Sequence, residues 1–343
     1  MTATAPRQEQ QAAASRLDRA HGALLGLALG DALGMPTQSM SPVEIAEDYG
    51  SIDSLVDAGP RQRIAHGMQA GSITDDTEQA LLLARLLIEG DGHVDERAFA
   101  SALIDWEQEM QAKGSLDLLG PSTKQAVQRI LEGVPASESG RFGSTNGAAM
   151  RVAPIGIAVS PDNLDAFVDA VVEASAVTHN TSLGIASASA IGAAVSVGVH
   201  GGSIQDAVDT ALAAAHIGER RGHWVAGGSI ASRGAWARDL LGATPVSEHP
   251  TVLREVIGTS VASQESVVAT IALVSVSSDP WQTLCTAASL GGDTDTIAAM
   301  AGAVLGACGG TELWPRDAVE HVTSINSLEL EPIARQLLEL RVR

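Results

Sequence analysis

Two short acidic turns carry the residues best suited to chemistry. One reads Gly71-Ser72-Ile73-Thr74-Asp75-Asp76-Thr77-Glu78-Gln79 and leads into Ala80-Leu81-Leu82-Leu83-Ala84. The other reads Gly291-Gly292-Asp293-Thr294-Asp295-Thr296 and leads into Ile297-Ala298-Ala299-Met300. Glycine permits the turn, and Asp, Thr and Ser favour the start of a helix, so each carboxylate pair is expected at the mouth of a buried helix. A single turn of this kind is ordinarily a cap that complements the helix dipole. Two on neighbouring helices bring four carboxylates together with hydroxyls between them. Like charges so close raise one another's pKa unless a cation intervenes. Oxygen donors from Asp and Thr suit Mg²⁺ or Mn²⁺ rather than Zn²⁺.

Three further places carry polar groups in unusual settings. Gly143-Ser144-Thr145-Asn146-Gly147-Ala148-Ala149-Met150-Arg151 places an Asn-Gly turn before a short helical start. Its exposed N–H groups suit a phosphate or a ribose oxygen, although the motif alone reads equally as a turn. His179 lies in the turn expected between two helices, where a lone histidine is more often structural than catalytic. Asp31 is an acid inside a helix of small residues, with Gly22, Gly26, Gly30 and Gly34 repeating every four. Such an acid is rarely buried without a partner, so it is expected to cap the next turn or to stand behind a metal site. The glycines fall on one stripe, open to close approach by another backbone.

The elements that must position these groups read as helix after helix. The spacing predicts helices over 16–35, from the first acidic turn to about 89, and over 96–112. A connection rich in Pro and Gly spans 36–70. The stretch 118–124 reads as a loop with Pro121 in the first turn of the next helix. Residues 181–199 are long enough to consider as a membrane span, but Ala, Ser and Gly dominate them and a buried helix is expected. Further helices follow over 203–289, then the second acidic turn with a buried helix ending near Gly309 and Gly310, and a polar helix over 327–342. Strand alternation is absent and no composition break marks a second domain, so residues 16–343 read as one all-α domain behind a disordered tail of residues 1–15.

Composition narrows the partners. Of 343 residues 45% are hydrophobic but only 3% aromatic, which leaves few platforms for stacking bases. A net charge of −20 opposes binding to nucleic acid or to an anionic membrane. It does not oppose a small anionic ligand held through metal ions. Cys285 and Cys308, the only cysteines, are expected as buried free thiols. The first fifteen residues lack the apolar run of a signal peptide, and a cytoplasmic protein is expected.

Taken in order, Gly26-Leu27-Ala28-Leu29-Gly30-Asp31-Ala32-Leu33-Gly34, Thr74-Asp75-Asp76-Thr77, Asn146-Gly147-Ala148-Ala149-Met150-Arg151, Thr178-His179 and Gly291-Gly292-Asp293-Thr294-Asp295-Thr296 resemble the ADP-ribosylglycohydrolase family. The match runs from about residue 20 to 310 and looks closest to an uncharacterised bacterial branch. The family includes the ADP-ribosyl-arginine and ADP-ribosyl-serine hydrolases and the dinitrogenase-reductase-activating glycohydrolase. The resemblance implies an orthogonal all-α bundle around two Mg²⁺ (or Mn²⁺) ions that bind the ribose beside the scissile bond. Thr74, Asp75 and Asp76 would hold one ion, Asp293 and Thr296 the other, with Asp295 bridging. Asn146, Gly147 and Ala148 match the loop that contacts ribose and diphosphate, His179 matches a position lining the pocket, and Gly120 and Gly292 join them as candidate substrate contacts.

One departure bears on mechanism. Many family members carry a glutamate a few residues after the Gly-Asp-Ala-x-Gly motif, where it is implicated in catalysis, and here that position is Gln38. An amide cannot accept a proton at neutral pH. The acid/base work then falls to a metal-bound Asp, with Asp75 and Asp293 the candidates, or to a nearby acid such as Glu44 or Glu47, or the substrate differs. The expected reaction is hydrolysis of a glycosidic bond at C1 of a ribose, in an ADP-ribosylated protein or an ADP-ribosyl small molecule. Two alternatives stand beside it: hydrolysis of a free nucleoside or other small ribosyl metabolite, and a crystallin-like or ADP-ribose-binding protein without turnover. An all-α terpene synthase also binds Mg²⁺ through clustered Asp, but its third acid would fall at Gln79, and the rings that stabilise a carbocation are nearly absent.

Overall fold

The computed structural model describes residues 5–112 and 119–341. The glycine stripe decides its centre. Gly22, Gly26, Gly30 and Gly34 lie on one side of the first helix, Ala5–Gly34, and meet the Thr294–Gly309 helix running the opposite way. A Cβ on Gly22 would stand 2.7 Å from the Gly306 carbonyl oxygen, and Cβ atoms on Gly26, Gly30 and Gly34 would strike backbone at Gly302, Ala298 and Asp295. The antiparallel pairing brings the end of the first helix to the second acidic turn.

The Ser182–His200 helix crosses behind this pair. Thr181 caps it by accepting from the Gly184 N–H, Gly201 ends it in the left-handed region, and every residue from Ser182 to Val199 is buried. Among the described residues it is the one helix long and apolar enough to cross a membrane, and its apolar window lies wholly inside the protein. The Asp75–Glu89 helix buries Ala80, Leu81, Leu83, Ala84 and Leu87 at helical spacing. A second, smaller apolar cluster joins Leu241, Leu253, Val268 and Leu290 to Ile297 and Ala298 of the Thr294–Gly309 helix.

No strand occurs among the described residues, and the fold is all-α. Two isolated bridges tie loops together, Thr145 with Ala262 and Thr181 with His223. Three expectations need correction. The connection over 36–70 contains the helix Pro42–Tyr49, started by a capping box in which Ser41 and Glu44 satisfy each other's backbone N–H groups. The expected tail is helical from Ala5 onward. His179 is the last residue of the Leu164–His179 helix and not part of a free turn. The loop expected over 118–124 is described from Leu119 onward, so Leu118 lies outside the described residues. Cys285 and Cys308 are free thiols, the first buried and the second partly so.

Candidate active site

Asp31 builds the first acidic turn. Thr74, the residue before the Asp75–Glu89 helix, supplies no side-chain cap of its own. The wholly buried Asp31 carboxylate accepts instead from the Thr74 N–H at 3.0 Å, the Thr77 N–H at 3.1 Å and the hydroxyls of both threonines. A helix start normally capped by its own sequence is thus capped from another helix. Burial pushes Asp31 up to about 6 even against these hydrogen bonds.

The second turn is pinned to the end of the first helix. The Thr294 hydroxyl donates to the Gly34 carbonyl at 3.0 Å, and the Thr37 hydroxyl to the Ala288 carbonyl at 2.6 Å. Ser39 N–H donates to Gly292 O at 2.7 Å and Gly292 N–H returns to Met40 O at 3.0 Å. Gly291 and Gly292, at φ of 81° and 82°, occupy the left-handed region that a side chain would strain.

The two turns then meet. The Thr296 hydroxyl donates to Asp76 Oδ2 at 3.2 Å. The other oxygen of the buried Asp76, Oδ1, has no hydrogen-bond partner. Burial, followed by the charges of Asp295, Asp75, Asp31 and Asp293, pushes Asp76 well above the usual carboxylate range. Burial likewise takes Asp293 up to about 6, opposed by hydrogen bonds from Asn146 and Thr296. The Asn146 amide donates to both Asp293 Oδ2 and the Ser266 hydroxyl, so the Asn-Gly loop is fastened to the second turn. Asp75 Oδ2 accepts from Gln79 Nε2 at 3.0 Å, and Gln79 Oε1 accepts from the buried Arg151 guanidinium at 2.9 Å.

A cavity of about 320 Å³ opens over this cluster. Of the residues marked by sequence, Gln38, Asp75, Gly120, Asn146, Gly147, Asp293, Asp295 and Thr296 line it. Thr74 and Asp76 are buried and are not part of its wall. Three expected substrate contacts do not line this cavity. Ala148 is buried in the apolar core. Gly292 packs on Thr259 and holds the 39–40 segment through its backbone. His179 stands behind the loop: its ring fills the space where a Gly147 side chain would project, 2.8 Å from that Cβ position. Glu44 and Glu47, the acids considered in place of Gln38, do not line the cavity and pair instead with Arg63 and Arg61.

Gln38 itself is buried, and its Nε2 has no partner. Its carbonyl is held by Gln62, whose amide also spans the Met35 and Pro36 carbonyls, a role that nothing in the local sequence signals. Gln79 was legible only as the residue four after Asp75, a spacing that brings two side chains together on a helix. Arg151 sat within a quoted motif without a role.

Among the described residues no group of three or more Asp, Glu, His and Cys side chains stands ready-made to hold a metal. The donors here are mixed, with the Thr74 and Thr296 hydroxyls beside the carboxylates. The fit to a hard cation rests on the partnerless Asp76 Oδ1 and on an all-oxygen donor set.

An all-α fold with a carboxylate-floored cavity under an Asn-Gly loop defines the class of site. A model of the ADP-ribosylglycohydrolase family matches residues 12–343, and the chain belongs to that family, whose members hydrolyse glycosidic linkages of ADP-ribose. An uncharacterised protein of Escherichia coli is 34% identical over 95% of this chain and 98% of its own length. An ADP-ribosylarginine hydrolase of Pseudomonas putida is 27% identical over 94% of this chain and 78% of its own. The solved structure of an ADP-ribosylglycohydrolase-related protein complex shares the fold, with a TM-score of 0.68 at 21% identity, covering 95% of this chain and 99% of that one.

Proposed function

We propose that this protein is a Mg²⁺- or Mn²⁺-dependent hydrolase of the glycosidic bond at C1 of a ribose, acting on ADP-ribosylated protein or an ADP-ribosyl small molecule. The observation that carries the metal is the meeting of the two acidic turns through Thr296 and Asp76, with a buried carboxylate oxygen left partnerless at the junction. Thr74, Asp75, Asp76, Asp293, Asp295 and Thr296 would hold the ions. Such ions, when bound, supply Lewis acidity toward a water and the ribose hydroxyls.

The side chains divide the remaining work. Asp75 lines the cavity with one oxygen fixed by Gln79, which suits it to orient a water and accept its proton. Asp293, also in the cavity wall, is held by Asn146. Negative charge from the carboxylates stabilises the oxocarbenium-like character that develops at C1. Gln38 presents an amide where a carboxylate base would otherwise stand, so it orients without taking a proton.

The test compares turnover of ADP-ribosyl-arginine and ADP-ribosyl-serine peptides with that of a free nucleoside, with and without a chelator. Release of ADP-ribose that stops on chelation and returns with Mg²⁺ is expected, with Asp76→Asn and Asp293→Asn inactive and depleted of metal. Full activity and metal content in either variant would refute the assignment. ADP-ribose binding without turnover of any substrate would mark a binding protein.

A further inference from the structure

We propose that the Thr145 hydroxyl is a preset hydrogen-bond donor that selects an acceptor oxygen on the substrate, its proton aimed by a buried chain running from Arg151 through Thr178 and His179. The proposal rests on the reading above for the identity of the ligand, but the direction of the chain follows from the donors themselves.

Arg151 is buried and offers only donors. Its Nη2 donates to the Thr178 hydroxyl oxygen at 2.5 Å. Thr178 is wholly buried, and its hydroxyl has one other hydrogen-bond partner among the described residues, His179 Nδ1 at 2.8 Å. A hydroxyl proton directed anywhere else would leave its hydrogen bond unmade in a fully buried setting, at the cost of desolvation. The Thr178 hydroxyl therefore donates its proton toward Nδ1, which makes Nδ1 an acceptor. Burial and the neighbouring Arg151 charge hold His179 down to about 3, so the ring is neutral and carries its one hydrogen on Nε2.

From Nε2 that hydrogen reaches Thr145 Oγ1 at 3.0 Å. Thr145 is half-buried, lines the cavity, and is steadied by its bridge to Ala262. Its own proton has no acceptor among the hydrogen bonds of the described residues. The other arm of Arg151 runs through Gln79 to Asp75. One buried cation thus directs two groups that line the cavity: it fixes a carboxylate of the first acidic turn and a hydroxyl donor of the Asn-Gly loop. Arg151, Thr178 and His179 are positioning residues, and Thr145 is the one that meets the ligand.

ADP-ribose is the probe. Calorimetry on the full chain compares wild type with Thr145→Val, which keeps the shape and deletes the hydroxyl, and Thr145→Ser, which restores it. Thr145→Val is expected to bind about three- to tenfold more weakly, the loss of one neutral hydrogen bond, and to melt somewhat lower because the buried His179 Nε2–H loses its acceptor, and Thr145→Ser to recover most of the affinity and the stability. Nitrogen-15 spectra of the unliganded protein are expected to show His179 as the Nε2–H tautomer. Wild-type affinity in Thr145→Val, no recovery in Thr145→Ser, or an Nδ1–H ring would each overturn the proposal. Should wild type fail to bind ADP-ribose, the functional reading falls, and the tautomer still decides whether the Thr145 proton is aimed as inferred.

Discussion

A carboxylate surrounded by others and shut away from water resists ionisation, and that resistance links the site to stability. Asp31 and Asp293 are raised from 3.8 to about 6 on folding. Between those values the folded metal-free protein binds more protons than the unfolded chain, so stability falls with rising pH. The contribution is fully present below about pH 4 and is lost as pH climbs through about 6. The metal-free protein is expected to melt at a lower temperature at pH 7 than at pH 5, and Mg²⁺ to reduce that difference. Thermal unfolding across this range with and without chelator checks both. Asp31 is hydrogen-bonded to the site through Thr74 and Thr77 and stands behind its carboxylates, so Asp31→Asn tests support rather than ligation. Loss of about 10- to 100-fold in metal affinity or turnover is expected, the usual cost of removing an outer partner. Metal titration of the variant measures it.

Between elements, the decisive contact is backbone against backbone. Gly302 and Gly26 face each other so closely that a Cβ on Gly302 would overlap the Gly26 carbonyl oxygen. Gly302→Ala must separate the first helix from the Thr294–Gly309 helix, at a cost of about 1–3 kcal/mol in overpacking. Because the same pairing delivers Gly34 and Thr37 to the second acidic turn, metal affinity should fall together with stability. Denaturant unfolding and metal titration of one preparation test the coupling. The helix starts show how local signals behave. The Ser41-Glu44 box is plain in the sequence, yet Pro and Gly on either side of it give the stretch the pattern of a loop. Thr74 looks like a self-capping residue, but its cap arrives from Asp31, a partner that no local pattern names.

At the scale of the whole molecule, a chain carrying a net charge of −20 folds several of its acids into one buried cluster, so a bound cation should act as a folding ligand. At a hundredfold excess over its dissociation constant, Mg²⁺ is expected to add about 2.7 kcal/mol of stability. The melting temperature should therefore rise with Mg²⁺ concentration in wild type and stay flat in Asp76→Asn. By itself the sequence determined most of the helices and the two turns, because helical spacing, caps and glycines act over a few residues, and it matched five ordered motifs to a family. Tertiary structure decided that Asp76 and Thr296 touch, that His179 stands behind the loop instead of in the cavity, and that Arg151 reaches Asp75 through Gln79. Those relations depend on how helices distant in sequence pack, and spacing along a chain carries no record of which way a buried side chain turns.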